Sequence, residues 1–145
     1  MSEDELLKIF NRYINNTNYK QLISVKELKV GNIPTSTKFS IDTQSTKVSI
    51  STIALKHIYD KHFFRNNLSD EFIFIIKNLR KVIKKPDLVV SNKPKRKADF
   101  CFIKSVNEKT ILCTIELVNK KLNVVTAFVL KDEGYLKGTK VLWKS

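Results

Sequence analysis

Glycine is scarce here, with three in 145 residues, and its scarcity excludes several chemistries at once. A Walker loop, a GxGxxG fingerprint or any other glycine-rich phosphate cradle needs glycines clustered within a few positions, and no such cluster exists. Cysteine is rarer still. Cys101 and Cys113 are the two present, with no CxxC and no Cys/His cluster at zinc-ligand spacing. Both fall in strand-like runs and read as small buried hydrophobes. The signatures of serine and cysteine hydrolases are missing. No run approaches the roughly 20 apolar residues that cross a bilayer. The opening Met1-Ser2-Glu3-Asp4-Glu5 is acidic where a secretory signal is basic. The expectation is a cytoplasmic protein with no membrane partner. Internal repeats and low-complexity tracts are absent too, and the length suits one compact unit.

Acidic residues are outnumbered. Fourteen Asp and Glu face 27 Lys and Arg, a net charge of +13 that favours a polyanionic partner. The excess is concentrated. Between Lys77 and Lys97 stand nine basic residues (Lys77, Arg80, Lys81, Lys84, Lys85, Lys93, Lys95, Arg96 and Lys97) and one acid, Asp87.

Periodicity gives the order of elements. Leu6, Ile9, Phe10, Tyr13 and Ile14 predict an amphipathic helix over 3–15 with Ser2 as its cap. Strands are expected at Val25–Val30, Lys38–Ile41 and Lys47–Ile50, with a turn at Gly31-Asn32-Ile33-Pro34. Ser51 is placed to cap a second helix over 52–63, whose stripe is Leu55, Ile58, Tyr59 and His62. A third helix, capped by Ser69, buries Phe72, Ile75, Ile76, Leu79 and Ile83 and stops at Pro86. Strands follow at Leu88–Ser91, Asp99–Lys104, Thr110–Val118, Leu122–Leu130 and Lys140–Trp143, with Asn107-Glu108 and Asn119-Lys120 at hairpin positions. Helices first and an antiparallel meander afterwards make an α+β fold, helices packed on a single antiparallel sheet.

The chemistry centres on His57-Ile58-Tyr59-Asp60-Lys61-His62, which holds both histidines of the chain. Histidine moves protons near neutral pH. RNA cleavage by its own 2′-OH needs a base, an acid and a cation for the charged phosphorane. His57 and Lys61 share a helix face at i, i+4, whereas His62 falls about 140° further round. His62 also continues the apolar stripe, so a core histidine is an equal reading of it. The loop Lys93-Pro94-Lys95-Arg96-Lys97 suits a phosphate backbone or is simply solvated. Phe100 and Phe102 either stack a base or pack the core, and core is preferred. Thr126 puts a hydroxyl in an otherwise apolar strand, and Glu116 an acid in its neighbour, a general base should the histidines not serve.

In this order the pieces resemble the phage-associated barnase–EndoU–colicin–RelE-like nucleases. The carrying stretches are Val48-Ser49-Ile50-Ser51 leading to His57 and Lys61-His62, a second helix ending in Lys85-Pro86-Asp87-Leu88-Val89, then the basic loop and three strands. Val125-Thr126-Ala127-Phe128 and Tyr135-Leu136-Lys137 complete them. The resemblance spans about residues 45–145 and leaves 1–44 as an N-terminal helix and β extension. It implies a RelE-like RNase fold of two helices on a four- or five-stranded sheet. The activity implied is that of a toxin-like, metal-independent endoribonuclease without cofactor, acting on tRNA or mRNA, with a cognate antitoxin or immunity protein as a further partner. By that likeness His57 and His62 transfer protons. Lys61 joins them at the phosphate, Thr126 lines the site, and Lys93, Lys95, Arg96, Lys97, Tyr135 and Lys137 hold substrate. A non-catalytic nucleic-acid-binding domain and a protein-interaction module remain the alternatives.

Overall fold

The computed structural model describes residues 3–61, 68–93 and 98–145. It shows α1 (Glu3–Tyr13), β1 (Glu27–Asn32), α2 (Thr35–Ser40), β2 (Lys47–Ser51), α3 (Thr52–Lys61) and α4 (Leu68–Lys84). Then come β3 (Leu88–Ser91), β4 (Phe100–Val106), β5 (Lys109–Val118), β6 (Lys121–Val129), a 3-10 turn (Glu133–Leu136) and β7 (Val141–Lys144). The architecture is α+β. One seven-stranded sheet, ordered β1-β2-β6-β5-β4-β3-β7, is antiparallel except where β2 runs parallel to β6. Seven strands exceed the four or five implied by the resemblance because β1 and β7 extend the two edges. Among the described residues no helix is long and apolar enough to cross a membrane.

Helices α1, α3 and α4 cover one face. Leu6 and Phe10 from α1, Leu55 and Ile58 from α3, and all five residues expected from α4 are buried against the inward side chains of β2, β4, β5 and β6. Each helix contributes one ring to an aromatic triad: Phe10, Tyr59 and Phe72 have centroids 4.8 to 5.4 Å apart in tilted and edge-on contacts. Such geometry suits the ring quadrupoles and locks the three helices in register. Ser51 caps α3 as its sequence position predicts, its Oγ accepting from Ala54 N at 3.0 Å. Both meander hairpins turn through left-handed pairs, Asn107-Glu108 and Asn119-Lys120, the conformation that matches strand twist.

The opposite face carries a smaller cluster, Val90, Cys101, Ile103 and Leu112, covered by Leu130, Tyr135 and Leu136. The two cysteines therefore lie on opposite sides of the sheet, both buried and neither in a disulfide. Burial, with a smaller contribution from Cys101, pushes the Cys113 thiol far above the usual thiol range. Phe102 is fully buried and Phe100 packs on the helix-side core, so this pair is core.

One expected strand is a helix. Lys38–Ile41 alternates in sequence, but residues Thr35–Ser40 form α2 and Phe39 points to solvent. The inward residues are Thr37 and Ile41, one turn apart, and Lys38 N and Ile41 N find their acceptors locally on Pro34 and Thr37. This short helix also touches the far edge: Trp143 Nε1 of β7 donates to Ser36 Oγ at 3.1 Å. In a flat sheet the edges would stand about 29 Å apart at ~4.8 Å per strand. Four residues from Asn32 to Ser36 reach at most about 14 Å. The sheet is thus coiled round its helices. Thr37 Oγ1 is buried with no hydrogen-bond partner among the described residues. Thr37→Val should stabilise the fold by about 1 kcal/mol, read as a higher urea midpoint at unchanged slope.

Candidate functional site

Helix α3 enters the site through β2, whose ladder with β6 is two pairs long, Val48 with Leu122 and Ser49 with Asn123. The helix is then stitched to the segment before β1. Thr52 Oγ1 donates to Ser24 O at 2.6 Å and accepts from Lys26 N at 2.9 Å. Lys56 and Asp60 form a buried ion pair one turn apart. Lys56 Nζ also donates to Asn18 O at 2.8 Å, and Asp60 accepts from Lys20 N at 3.1 Å. A buried pair is tolerable only when its remaining donors and acceptors are met in this way. With that side of α3 fixed, His57 and Lys61 are left exposed on another, four residues apart.

Lys61 crosses to the sheet. Its Nζ donates to Thr126 Oγ1 of β6 at 3.3 Å. Thr126 lies beside an irregularity in the β5–β6 ladder between Thr114 and Ile115. Its backbone is held by the facing Thr114, whose Oγ1 accepts from Thr126 N at 3.2 Å and donates to Thr126 O at 3.4 Å. Glu116, half-buried, lies two residues beyond Thr114 and is paired in register with Asn123. The arrangement aims a hydroxyl and an ammonium at one point, with an imidazole-bearing turn of α3 alongside.

Two positions along β6 the same sheet face presents Phe128, about 7 Å from Thr126 at the strand's rise per residue. Phe128 meets Tyr135 edge-on at 5.3 Å between centroids, and Lys93 Nζ sits 5.3 Å from the Tyr135 ring centre. These three, with Leu130, Lys131 and Asp132, line an open cleft of about 380 Å³. Asp132 shapes it: its Oδ1 accepts from Gly134 N at 2.8 Å and starts the 3-10 turn that carries Tyr135.

The structure therefore brings Lys61 together with Thr126, and Lys93 with Tyr135. Lys137 is exposed just past the 3-10 turn and does not line the cleft. His62, Lys95, Arg96 and Lys97 lie outside the described residues. Phe128 and Asp132 were not among the expected site residues. The alternation of β6 carries the signal for Phe128, since a residue two positions from Thr126 shares its face. Among the described residues no three His, Cys, Asp or Glu side chains gather where they could hold a metal ion.

Residues 28–135 match the family described as phage-Barnase-EndoU-ColicinE5/D-RelE like nuclease 3, a span running from β1 into the 3-10 turn and including Lys61, Thr126, Phe128 and Tyr135. No curated protein and no solved structure matches the chain.

The buried pair makes the platform under His57 and Lys61 sensitive to single changes. Asp60→Ala, which strands Lys56, should cost about 3–5 kcal/mol in urea unfolding. Lys56→Met with Asp60→Leu should recover most of that loss.

Proposed function

This chain belongs to the phage-Barnase-EndoU-ColicinE5/D-RelE like nuclease 3 family, and from that nuclease membership we propose that it is a toxin-like endoribonuclease cutting through the RNA's own 2′-hydroxyl. The observation that carries the reading is the meeting of Lys61 Nζ with Thr126 Oγ1 at 3.3 Å, one helical turn from the exposed His57. A phosphate seated there would exchange the Lys61–Thr126 contact for charge-assisted bonds to its own oxygens.

In the proposed reaction His57 takes the 2′-OH proton as the 2′ oxygen attacks phosphorus. The bond from phosphorus to the 5′ oxygen breaks, and His62 protonates that leaving oxygen. The products are a 2′,3′-cyclic phosphate and a 5′-hydroxyl. Lys61 offsets the extra charge on the pentacoordinate phosphorane, which it does best where water is scarce. Thr126 orients Lys61 beforehand and donates to a phosphate oxygen afterwards. No metal or other cofactor enters the scheme.

The cleft beside this point supplies the grip on substrate. Phe128 lies about 7 Å from Thr126, and in this reading Phe128 and Tyr135 would stack the base next to the scissile phosphate. Lys93 and Lys137, with Lys95, Arg96 and Lys97 close to Lys93 in sequence, would neutralise the backbone. The substrate in this reading is tRNA or mRNA met in the cytoplasm, and a toxin of this kind calls for a cognate antitoxin or immunity protein.

The test is cleavage of total RNA by purified protein in EDTA, with products assayed for a cyclic phosphate and with an oligonucleotide carrying a single 2′-deoxy residue at the cut. Wild type should cut and the deoxy position should resist. His57→Ala should lower kcat by about 10²–10⁴ and Lys61→Gln by roughly 10²–10³, with the fold intact by circular dichroism. Tyr135→Ala should act mainly on KM, by about tenfold. Undiminished cleavage by the His57→Ala, His62→Ala double variant would overturn the histidine mechanism. Salt-dependent binding with no cleavage at all would leave a nucleic-acid-binding domain.

A further inference from the structure

A second basic surface lies away from the candidate site. On α4 the cations Lys77, Arg80, Lys81 and Lys84 fall at i, i+3, i+4 and i+7, a single stripe about 10.5 Å long at 1.5 Å per residue. Lys77 and Lys81, and Arg80 and Lys84, are like charges at i, i+4, which repel. Among the described residues no carboxylate pairs with any of the four, although Lys104 and Lys131 do find acidic partners. A helix that keeps such a stripe unneutralised is suited to a polyanion.

The stripe leads into a cleft of about 180 Å³ between α4 and the edge strand β1, lined by Lys29, Val30, Gly31, Asn32, Arg80 and Lys84. The β1–β2 register slips between Lys29 and Gly31, and the Arg80 side chain packs beside Gly31, where a Cβ would meet Arg80 Cγ at an ordinary van der Waals distance of 3.7 Å. The space equals about six waters at roughly 30 Å³ each, enough for a phosphate group. None of its lining residues is aromatic, so it offers nothing on which a base could stack. Three cations converging without a stacking surface describe a site for backbone phosphate, indifferent to sequence.

Helix α4 fixes the distance to the candidate site. In its first turn Glu71 accepts from Lys131, a residue of the Tyr135 cleft, at 3.2 Å. Lys84 is 13 residues further along, about 20 Å away. At roughly 3.4 Å per stacked nucleotide a strand needs at least about six nucleotides to cover that interval.

We propose that Lys29, Arg80 and Lys84, extended by Lys77 and Lys81, form a remote phosphate-binding exosite for single-stranded RNA that holds the strand at least about six nucleotides from the Tyr135 cleft. The proposal rests on the RNA reading above. Its test compares a 20-nucleotide with a 3-nucleotide single-stranded RNA, using full-length protein in EDTA. For the 20-mer, K29Q/R80Q/K84Q should weaken binding at least tenfold at 50 mM salt. It should also flatten the slope of log K against log salt by about 2, three contacts at roughly 0.7 each. Cleavage of the 3-mer should be unchanged, and the charge-keeping K29R/R80K/K84R should bind the 20-mer as wild type does. Equal losses on both RNAs, or an unchanged slope, overturn the exosite, and an unchanged slope would assign the stripe to an acidic protein instead. Wild type that binds the 20-mer but cuts neither RNA defeats the nuclease mechanism alone, because the salt slopes still decide the exosite.

Discussion

The site depends on a parallel contact two residue pairs long. Parallel pairing needs a crossover, and here the chain leaves β2, passes through α3, α4, β3, β4 and β5, and returns as β6 beside its starting point. Because Val48 and Ser49 register with Leu122 and Asn123, β2 ends next to the second half of β6, and α3 begins there. A slip of one residue would turn every side chain of one strand to the opposite face and part Lys61 from Thr126. The Ser51 cap, the Lys56–Asp60 pair and the aromatic triad each restrict α3 further. They act on a helix whose starting point β2 has already set.

Most elements were legible from period alone. Helix α4 offered five apolar residues in helical phase with a proline just past its end, and the meander offered β-branched runs with turn residues at hairpin spacing. Such signals are local. The strand expected at Lys38–Ile41 failed because four residues can alternate by chance, and what decides them is tertiary: Thr37 and Ile41 face inward while Phe39 does not. The parallel pairing of β2 with β6 joins residues more than seventy apart, and no window on the sequence contains it.

The candidate site divides along the same line. His57 and Lys61 were readable because a helix makes i and i+4 neighbours, and Thr126 because a lone hydroxyl breaks an apolar strand. That Lys61 and Thr126 meet is a property of the fold. The dense run of cations between Lys77 and Lys97 looked like one surface in the sequence. Folding divides it, with Lys93 beside Tyr135 on one side of the sheet and Arg80 with Lys84 against β1 on the helical side. Sequence proximity overstated their unity because Pro86 and β3 intervene and carry the chain across the sheet.

The slipped register of β1 has a consequence for solubility. An edge strand is a template on which another molecule's strand can grow, and regular edges invite fibrillar association. In β1 the slip at Lys29 and Gly31 interrupts the regular ladder, and the exposed Lys29 places charge on that edge. The opposite edge, β7, is four residues long and begins just after Lys140. Both borders of a sheet rich in Val, Ile and Phe are thus poor seeds for the self-templating to which such strands are prone.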